Sequence, residues 1–232
     1  MSGYSALREE AFAANLEIPQ LNLAILTWGN VSAFDPQAGV FAIKPSGVDY
    51  TDLRESDMVV VDLDCRVVEG SLRPSSDTKT HAALYRAFEG VRGICHTHST
   101  FATAWAQTGR PIPCLGTTHA DLIAAPVPCT DYIEESALVR DYEAGTGELI
   151  LKTLRGLKPL ETPCILVAGH GPFTWGESAL RAVHAAAALE EIAHLAFISN
   201  MIDEKVSPLP GYIVRKHFER KHGSSAYYGQ GK

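Results

Sequence analysis

Leu, Phe and Ala recur at roughly helical spacing among charged residues over residues 5–18, and Pro19 supplies a stop; this pattern predicts an opening amphipathic helix. Three short apolar or β-branched runs follow at residues 24–27, 40–43 and 58–63, each bounded by Gly, Pro or Asp, and read as strands. Polar loops connect them at residues 29–32, 44–47 and 74–77. Over residues 80–88 the apolar positions Ala83, Leu84, Ala87 and Phe88 share a helical face, with Asp77 or Thr78 placed to cap it. Residues 91–97 and 165–168 read as further strands, the second ending at Gly169-His170-Gly171, with a helix between them at about residues 143–154. The longest periodic segment, residues 178–198, is Ala-rich and helical, and a last helix over residues 212–222 stops at Gly223.

Strands alternating with helices predict an α/β sandwich. A Gly-rich nucleotide loop is missing, and Gly145-Thr146-Gly147 alone does not make one. Pro/Gly/Ser-rich or charged linkers are absent too, so residues 1–232 read as one domain with residues 223–232 as a C-terminal tail.

Composition narrows the function classes. Hydrophobic residues at 46% and charged residues at 20% describe a chain that folds around a core. A net charge of −7 argues against a nucleic-acid surface, which needs clustered Lys and Arg to neutralise phosphates. Five dispersed cysteines without a C-x-x-C pair suit buried thiols in a reducing compartment. Arg8, Glu9 and Glu10 interrupt the stretch a signal peptide needs, and no apolar run approaches membrane-spanning length, so a cytoplasmic address without membrane association is expected.

The sharpest chemical signal is His96-Thr97-His98 at the end of an expected strand, because residues two apart on a strand project from one face. Such a pair is either a metal half-site or two hydrogen-bonded loop histidines. His170, at another strand end and flanked by glycines that permit close backbone approach, turns the pair into a tripod on two strands expected to be adjacent. Three neutral imidazoles suit zinc with an open coordination position. His81, His119, His184, His194 and His222 lie on helices or turns without such partners, and Glu191 and His194 lack the second pair that a di-iron site requires.

Seven ordered segments then resemble the class II aldolase/epimerase (adducin-like) family over nearly the whole chain, most closely its sugar-phosphate 4-epimerases. They are Leu26-Thr27-Trp28-Gly29-Asn30-Val31-Ser32, Ile43-Lys44-Pro45-Ser46-Gly47-Val48-Asp49-Tyr50, Pro74-Ser75-Ser76-Asp77-Thr78, His96-Thr97-His98-Ser99, Gly116-Thr117-Thr118-His119-Ala120-Asp121, His170-Gly171-Pro172-Phe173 and Tyr227-Tyr228-Gly229-Gln230. The resemblance implies a three-layer α/β/α sandwich of the class II aldolase type with a central mixed sheet. It also implies one zinc per subunit, held by His96, His98 and His170, and a homotetramer with active sites between subunits. The expected substrate is a pentulose phosphate, inverted at C4 in arabinose or ascorbate breakdown.

Further roles follow from the same resemblance. Asp77 stands where related aldolases carry glutamate, which favours an epimerase; it is either a further metal ligand or a plain helix cap. Asp121 and Tyr228 are implied as the two acid/base groups, with Thr117 and His217 assisting, although a loop aspartate by itself reads as a turn residue. Gly29, Asn30, Lys44, Ser46, Gly47, Ser75 and Ser76 match the family's phosphate loops and carry the donors an anion needs, though singly each is an ordinary turn residue. The competing readings are a class II sugar-phosphate aldolase and a non-catalytic interaction domain of the adducin type.

Overall fold

In a computed structural model of the chain, residues 3–222 and 226–227 are described. Helix α1 (Ser5–Gln20) leads into β1 (Asn30–Asp35), β2 (Val40–Ile43), β3 (Val59–Asp62) and β4 (Val67–Glu69). Then come α2 (Thr78–Ala87), β5 (Gly93–His96), α3 (Thr100–Gln107), α4 (Thr117–Ala120) and α5 (Glu135–Thr153). Strands β6 (Cys164–Val167) and β7 (Gly171–Gly176) and helices α6 (Ala179–Ile202) and α7 (Gly211–His222) complete the order.

The seven strands form one sheet in the order β4-β3-β2-β1-β5-β7-β6. Both faces are covered, which explains why the strands read as continuous apolar runs: successive residues alternate between two cores. Val40, Ala42, Met58, Val60 and Cys95 pack with Ala11, Ala14 and Ile18 of α1 and Ala182, Val183 and Ala186 of α6. Phe41, Ile43, Val59, Val61, Ile94, Phe173 and Trp175 pack on the opposite side with Leu84 and Tyr85 of α2 and Ile150 of α5. These are the three layers expected.

Sheet polarity differs from the expected mixed sheet. Every strand ladder is antiparallel, and among the described residues the parallel pairing is the isolated bridge between Cys129 and Leu166. Short hairpin connections, such as residues 168–170 between β6 and β7, force neighbouring strands to run in opposite directions.

The run at residues 24–27 is not a strand. Ile25 and Leu26 are 64% and 65% exposed and Leu26 has a φ of 57°, so the run has neither a partner strand nor a covering layer. The strand starts instead at Asn30, inside the segment read as a loop. Its start is fixed by Asn15 of α1, whose amide oxygen accepts from Val31 N at 2.9 Å and whose amide nitrogen donates to Val31 O at 2.9 Å. Such a buried amide satisfies two backbone groups at once.

Helix α5 begins earlier than its periodicity predicts and breaks at Asp141, where φ is −173° and ψ is 104°. Asp141 Oδ1 accepts from Ala144 N at 3.1 Å, an N-cap that restarts the helix. The sequence pattern had located the second part. Helix α6, contrary to the sequence expectation, is long and apolar enough to cross a bilayer by length and composition. Here it is the core helix of one layer, with Ala179, Ala182, Val183, Ala186 and Leu189 buried.

Candidate active site

Strand pairing builds the site. The β1–β5 register sets Asn30 opposite His96, and the β5–β7 register sets His96 opposite Phe173. His96, the last residue of β5, is buried with its ring stacked on Phe173 at a centroid distance of 4.3 Å. Its Nδ1 lies 2.9 Å from Pro172 O. A carbonyl can only accept, so Nδ1 carries the proton and Nε2 keeps its lone pair.

His98 lies two residues past the end of β5. His170 lies in the turn between β6 and β7, directly before the first residue of β7; the tripod therefore joins the end of β5 to the start of its neighbour β7, whereas β6, the strand that His170 follows, is not next to β5. The hairpin folds back onto β5, which brings the turn to His96. Gly171 permits this approach: a Cβ there would sit 2.8 Å from Thr97 O. The three rings are 4.7–5.0 Å apart between centroids, and one ligand atom from each lies within 4.8 Å of the others.

Burial, and then the neighbouring imidazoles, push His96 and His170 down to about 3. Burial also lowers His98, with Asp77 opposing it. At neutral pH the tripod therefore presents three uncharged rings.

Asp77 occupies the N-cap position of α2 but makes no side-chain capping bond. Its Oδ2 instead accepts from Asn30 Nδ2 at 2.7 Å, on the wall of the same cavity as the histidines. It stands beside the three-histidine group without belonging to it.

This cavity has a volume of about 340 Å³, and all seven residues expected to hold phosphate line it: Gly29, Asn30, Lys44, Ser46, Gly47, Ser75 and Ser76. Lys44 Nζ donates to Val48 O at 2.5 Å and lies 4.8 Å from the centre of the Tyr50 ring. Burial lowers its pKa, with Asp49 opposing. Gly29 holds a φ of 89°, and a Cβ there would sit 2.9 Å from His96 O, so the loop can lie against β5 only without a side chain.

The expected acid/base residues gather elsewhere. Thr117 opens α4, and Asp121 follows it to meet α7. Asp121 Oδ1 lies 3.1 Å from His217 Nδ1 and accepts from Arg220 Nε at 3.0 Å, Arg220 Nη2 donates to Oδ2 at 2.5 Å, and Lys221 Nζ is 3.4 Å from Oδ2. Burial acts to raise the Asp121 pKa, but Arg220, His217 and Lys221 together hold it below the usual carboxylate value. Thr117, Asp121 and His217 do not line the histidine cavity of their own chain, and Tyr228 lies outside the described residues.

Sequence reasoning missed Tyr142 and Glu143, which line the cavity from the restart of α5. The Tyr142 hydroxyl is 3.1 Å from His170 Nδ1. A polar Asp-Tyr-Glu sequence at a helix start was the available signal. Four of the histidines set aside have local partners: His81 Nδ1 meets Ser32 Oγ at 2.7 Å, His119 Nε2 meets Ala125 O at 2.8 Å, His194 stacks on Phe101, and His222 Nε2 meets Asp121 O at 2.9 Å. Gly145 and Gly147 are packing positions on α5; a Cβ on Gly147 would come 2.8 Å from Ala83 Cβ of α2.

Comparison with known proteins bears on the family and the fold. The L-ribulose-5-phosphate 4-epimerase UlaF of Salmonella paratyphi B is 51% identical over 224 residues, covering 97% of this chain and 98% of the relative. Among solved structures, an L-fuculose 1-phosphate aldolase superposes with a TM-score of 0.79 at 24% identity, covering 95% of this chain and 97% of the other. The L-fuculose-1-phosphate aldolase of Thermus thermophilus does so with a TM-score of 0.66 at 22% identity, covering 88% and 98%. Both share the fold. Residues 9–197 match the model of the class II aldolase and adducin N-terminal domain, and with so much of its length accounted for the chain belongs to that family.

Proposed function

We propose that this chain is a zinc-dependent L-ribulose-5-phosphate 4-epimerase, interconverting L-ribulose 5-phosphate and D-xylulose 5-phosphate. The observation that carries this reading is the convergence of His96, His98 and His170 on a cavity whose remaining wall includes Lys44 and the Ser and Asn side chains of three polar loops. The name of the 51% identical Salmonella relative supports it.

The donor set fits zinc. Tetrahedral zinc with bonds of about 2.0–2.1 Å places its ligand nitrogens roughly 3.4 Å apart, within the 4.8 Å spread of these atoms. His96, His98 and His170 would hold the ion, with Asp77 as a further candidate ligand, and once bound it would supply Lewis-acid stabilisation of negative charge on sugar oxygens.

C4 of the substrate carries no acidic hydrogen, because the carbonyl is at C2. Inversion therefore proceeds by breaking C3–C4, whose electron pair stays on C3 as dihydroxyacetone enediolate while the C4 hydroxyl proton passes to a base and C4 becomes the aldehyde of glycolaldehyde phosphate. The aldehyde turns, C3 attacks its other face, and an acid returns a proton to the C4 oxygen. Lys44, Asn30, Ser46, Ser75 and Ser76, with Gly29 and Gly47 giving backbone access, hold the phosphate while this happens. Asp121 and Tyr228 take the two proton transfers, assisted by Thr117 and His217, each transfer contributing on the order of 10²–10⁴-fold. These groups reach the cavity from a neighbouring subunit of a homotetramer. The enzyme works in the cytoplasm as one domain.

Incubating zinc-loaded protein with L-ribulose 5-phosphate tests the reading. D-xylulose 5-phosphate is the expected product. Accumulation of dihydroxyacetone and glycolaldehyde phosphate would make the protein an aldolase, and bound metal without turnover would make it an interaction module.

A further inference from the structure

We infer that Tyr142 is the positioning residue of His170, its phenolic oxygen accepting the Nδ1 proton and so fixing the tautomer in which Nε2 is free for a metal; this rests on the metal reading above. His170 Nδ1 has the Tyr142 hydroxyl at 3.1 Å as its hydrogen-bond partner. Two polarities are open to such a pair. If the phenol donated to Nδ1, the ring proton would sit on Nε2 and the imidazole could not ligate through that atom. If the phenol accepts, Nε2 keeps its lone pair, as Pro172 O already arranges for His96. Thr146 also bears on the phenol as a hydrogen-bonding neighbour, and Tyr142 shares the cavity wall with Asp77 and Glu143.

The position of Tyr142 is built by named contacts. It is the first residue after the break at Asp141, whose carboxylate caps Ala144 N and pairs with Lys79 of α2. Gly147 allows the restarted helix to lie directly on α2. Any other helix phase at this point would carry the hydroxyl away from His170. Tyr142 is also absent from the buried apolar clusters around it, so its ring is not there to fill a core.

Tyr142→Phe keeps the ring and removes the oxygen, and thermal unfolding verifies that it folds. Zinc affinity, measured by competition with a chromophoric chelator, should fall about 10–100-fold. Nitrogen-15 NMR of the metal-free protein should show His170 protonated on Nδ1 in the parent and shifted toward the Nε2-protonated form in the variant. An unchanged tautomer overturns the inference whatever happens to affinity, and so does an unchanged affinity in a protein that binds zinc. If the parent takes up no zinc the metal reading fails by itself, and the NMR comparison still decides the role of Tyr142.

Discussion

Asn30 Nδ2 donates to Asp77 Oδ2 at 2.7 Å, so one residue of the cavity wall holds a carboxylate that shares the cavity with the three histidines. The pairing joins the first residue of β1 to the residue before α2. Asp77 makes this bond while making no side-chain cap on its own helix.

Asn30→Ala should therefore damage two things at once. Losing a hydrogen bond to a charged group costs about 1.5–3 kcal/mol of stability, read as a lower midpoint in urea denaturation. KM for the phosphorylated substrate should rise as well, because the released carboxylate no longer keeps its distance from the anion. An unchanged KM would remove Asn30 from the binding wall.

How much of this could be read from the chain depends on the kind of signal each residue sends. The i, i+2 spacing of His96 and His98 signals a shared direction even though β5 ends at His96, and His170 stands out between two glycines, so the tripod was legible although β7, between β5 and β6, was not. The polar loops were legible as a set and all reach one cavity. Residues 24–27 misled because their apolar character alone gave no partner strand, whereas β1 was masked by the polar Asn30 and Ser32, buried through specific hydrogen bonds. Tyr142 sends only the weak signal of a polar helix start, because its role depends on the break at Asp141, whose carboxylate caps Ala144 N and pairs with Lys79 of α2.

The tripod also sets a pH dependence in the metal-free protein. His96 and His170 are held at about 3 when folded, against an ordinary value near 6.5. Between these values the unfolded chain binds protons that the folded chain refuses, so stability rises with pH across this window and falls as the solution is acidified from about 6.5 towards 3. Each ring contributes up to about 1.4 kcal/mol per pH unit there. Urea denaturation of metal-free protein at several values in this range should show the loss, and the double variant His96→Gln, His170→Asn should show a flatter dependence. Equal slopes would mean that these rings are not the source.

Asn15 offers a test of what holds the site's first strand. Asn15→Leu keeps the approximate volume but strands Val31 N and Val31 O, both inside the α1–β1 contact. Two buried backbone groups without partners cost on the order of 2–5 kcal/mol, a large part of the stability of a typical domain. The midpoint of chemical unfolding should fall accordingly, and any folded fraction should lose substrate affinity before metal affinity, since β1 carries Asn30 whereas the histidines belong to β5 and the β6–β7 turn. A mild effect would mean that β-pairing alone fixes the start of β1.

The division of the proposed machinery into two places makes the strongest prediction. The histidines and the polar wall form one cavity, while Asp121 is held with His217 and Arg220 between α4 and α7 and does not line that cavity. If each working site joins the cavity of one subunit to Asp121 of its neighbour, His96→Asn and Asp121→Asn should each be inactive in pure form for different reasons. The first lacks a metal ligand and the second lacks the base, yet each carries an intact copy of what the other has lost. When the two proteins are unfolded together, mixed and reassembled with zinc, a site is complete wherever the cavity comes from an Asp121→Asn subunit and the base from a His96→Asn subunit. Random assembly of equal amounts gives about one quarter of such sites in a closed symmetric ring. Activity should therefore return to about that fraction of the parent, and should vary with mixing ratio as the product of the two proportions. A base acting within its own chain predicts no recovery at any ratio, so an inactive mixture whose subunits have demonstrably exchanged would place the reaction within one chain and require Asp121 to reach its own cavity by a movement of α4 and α7.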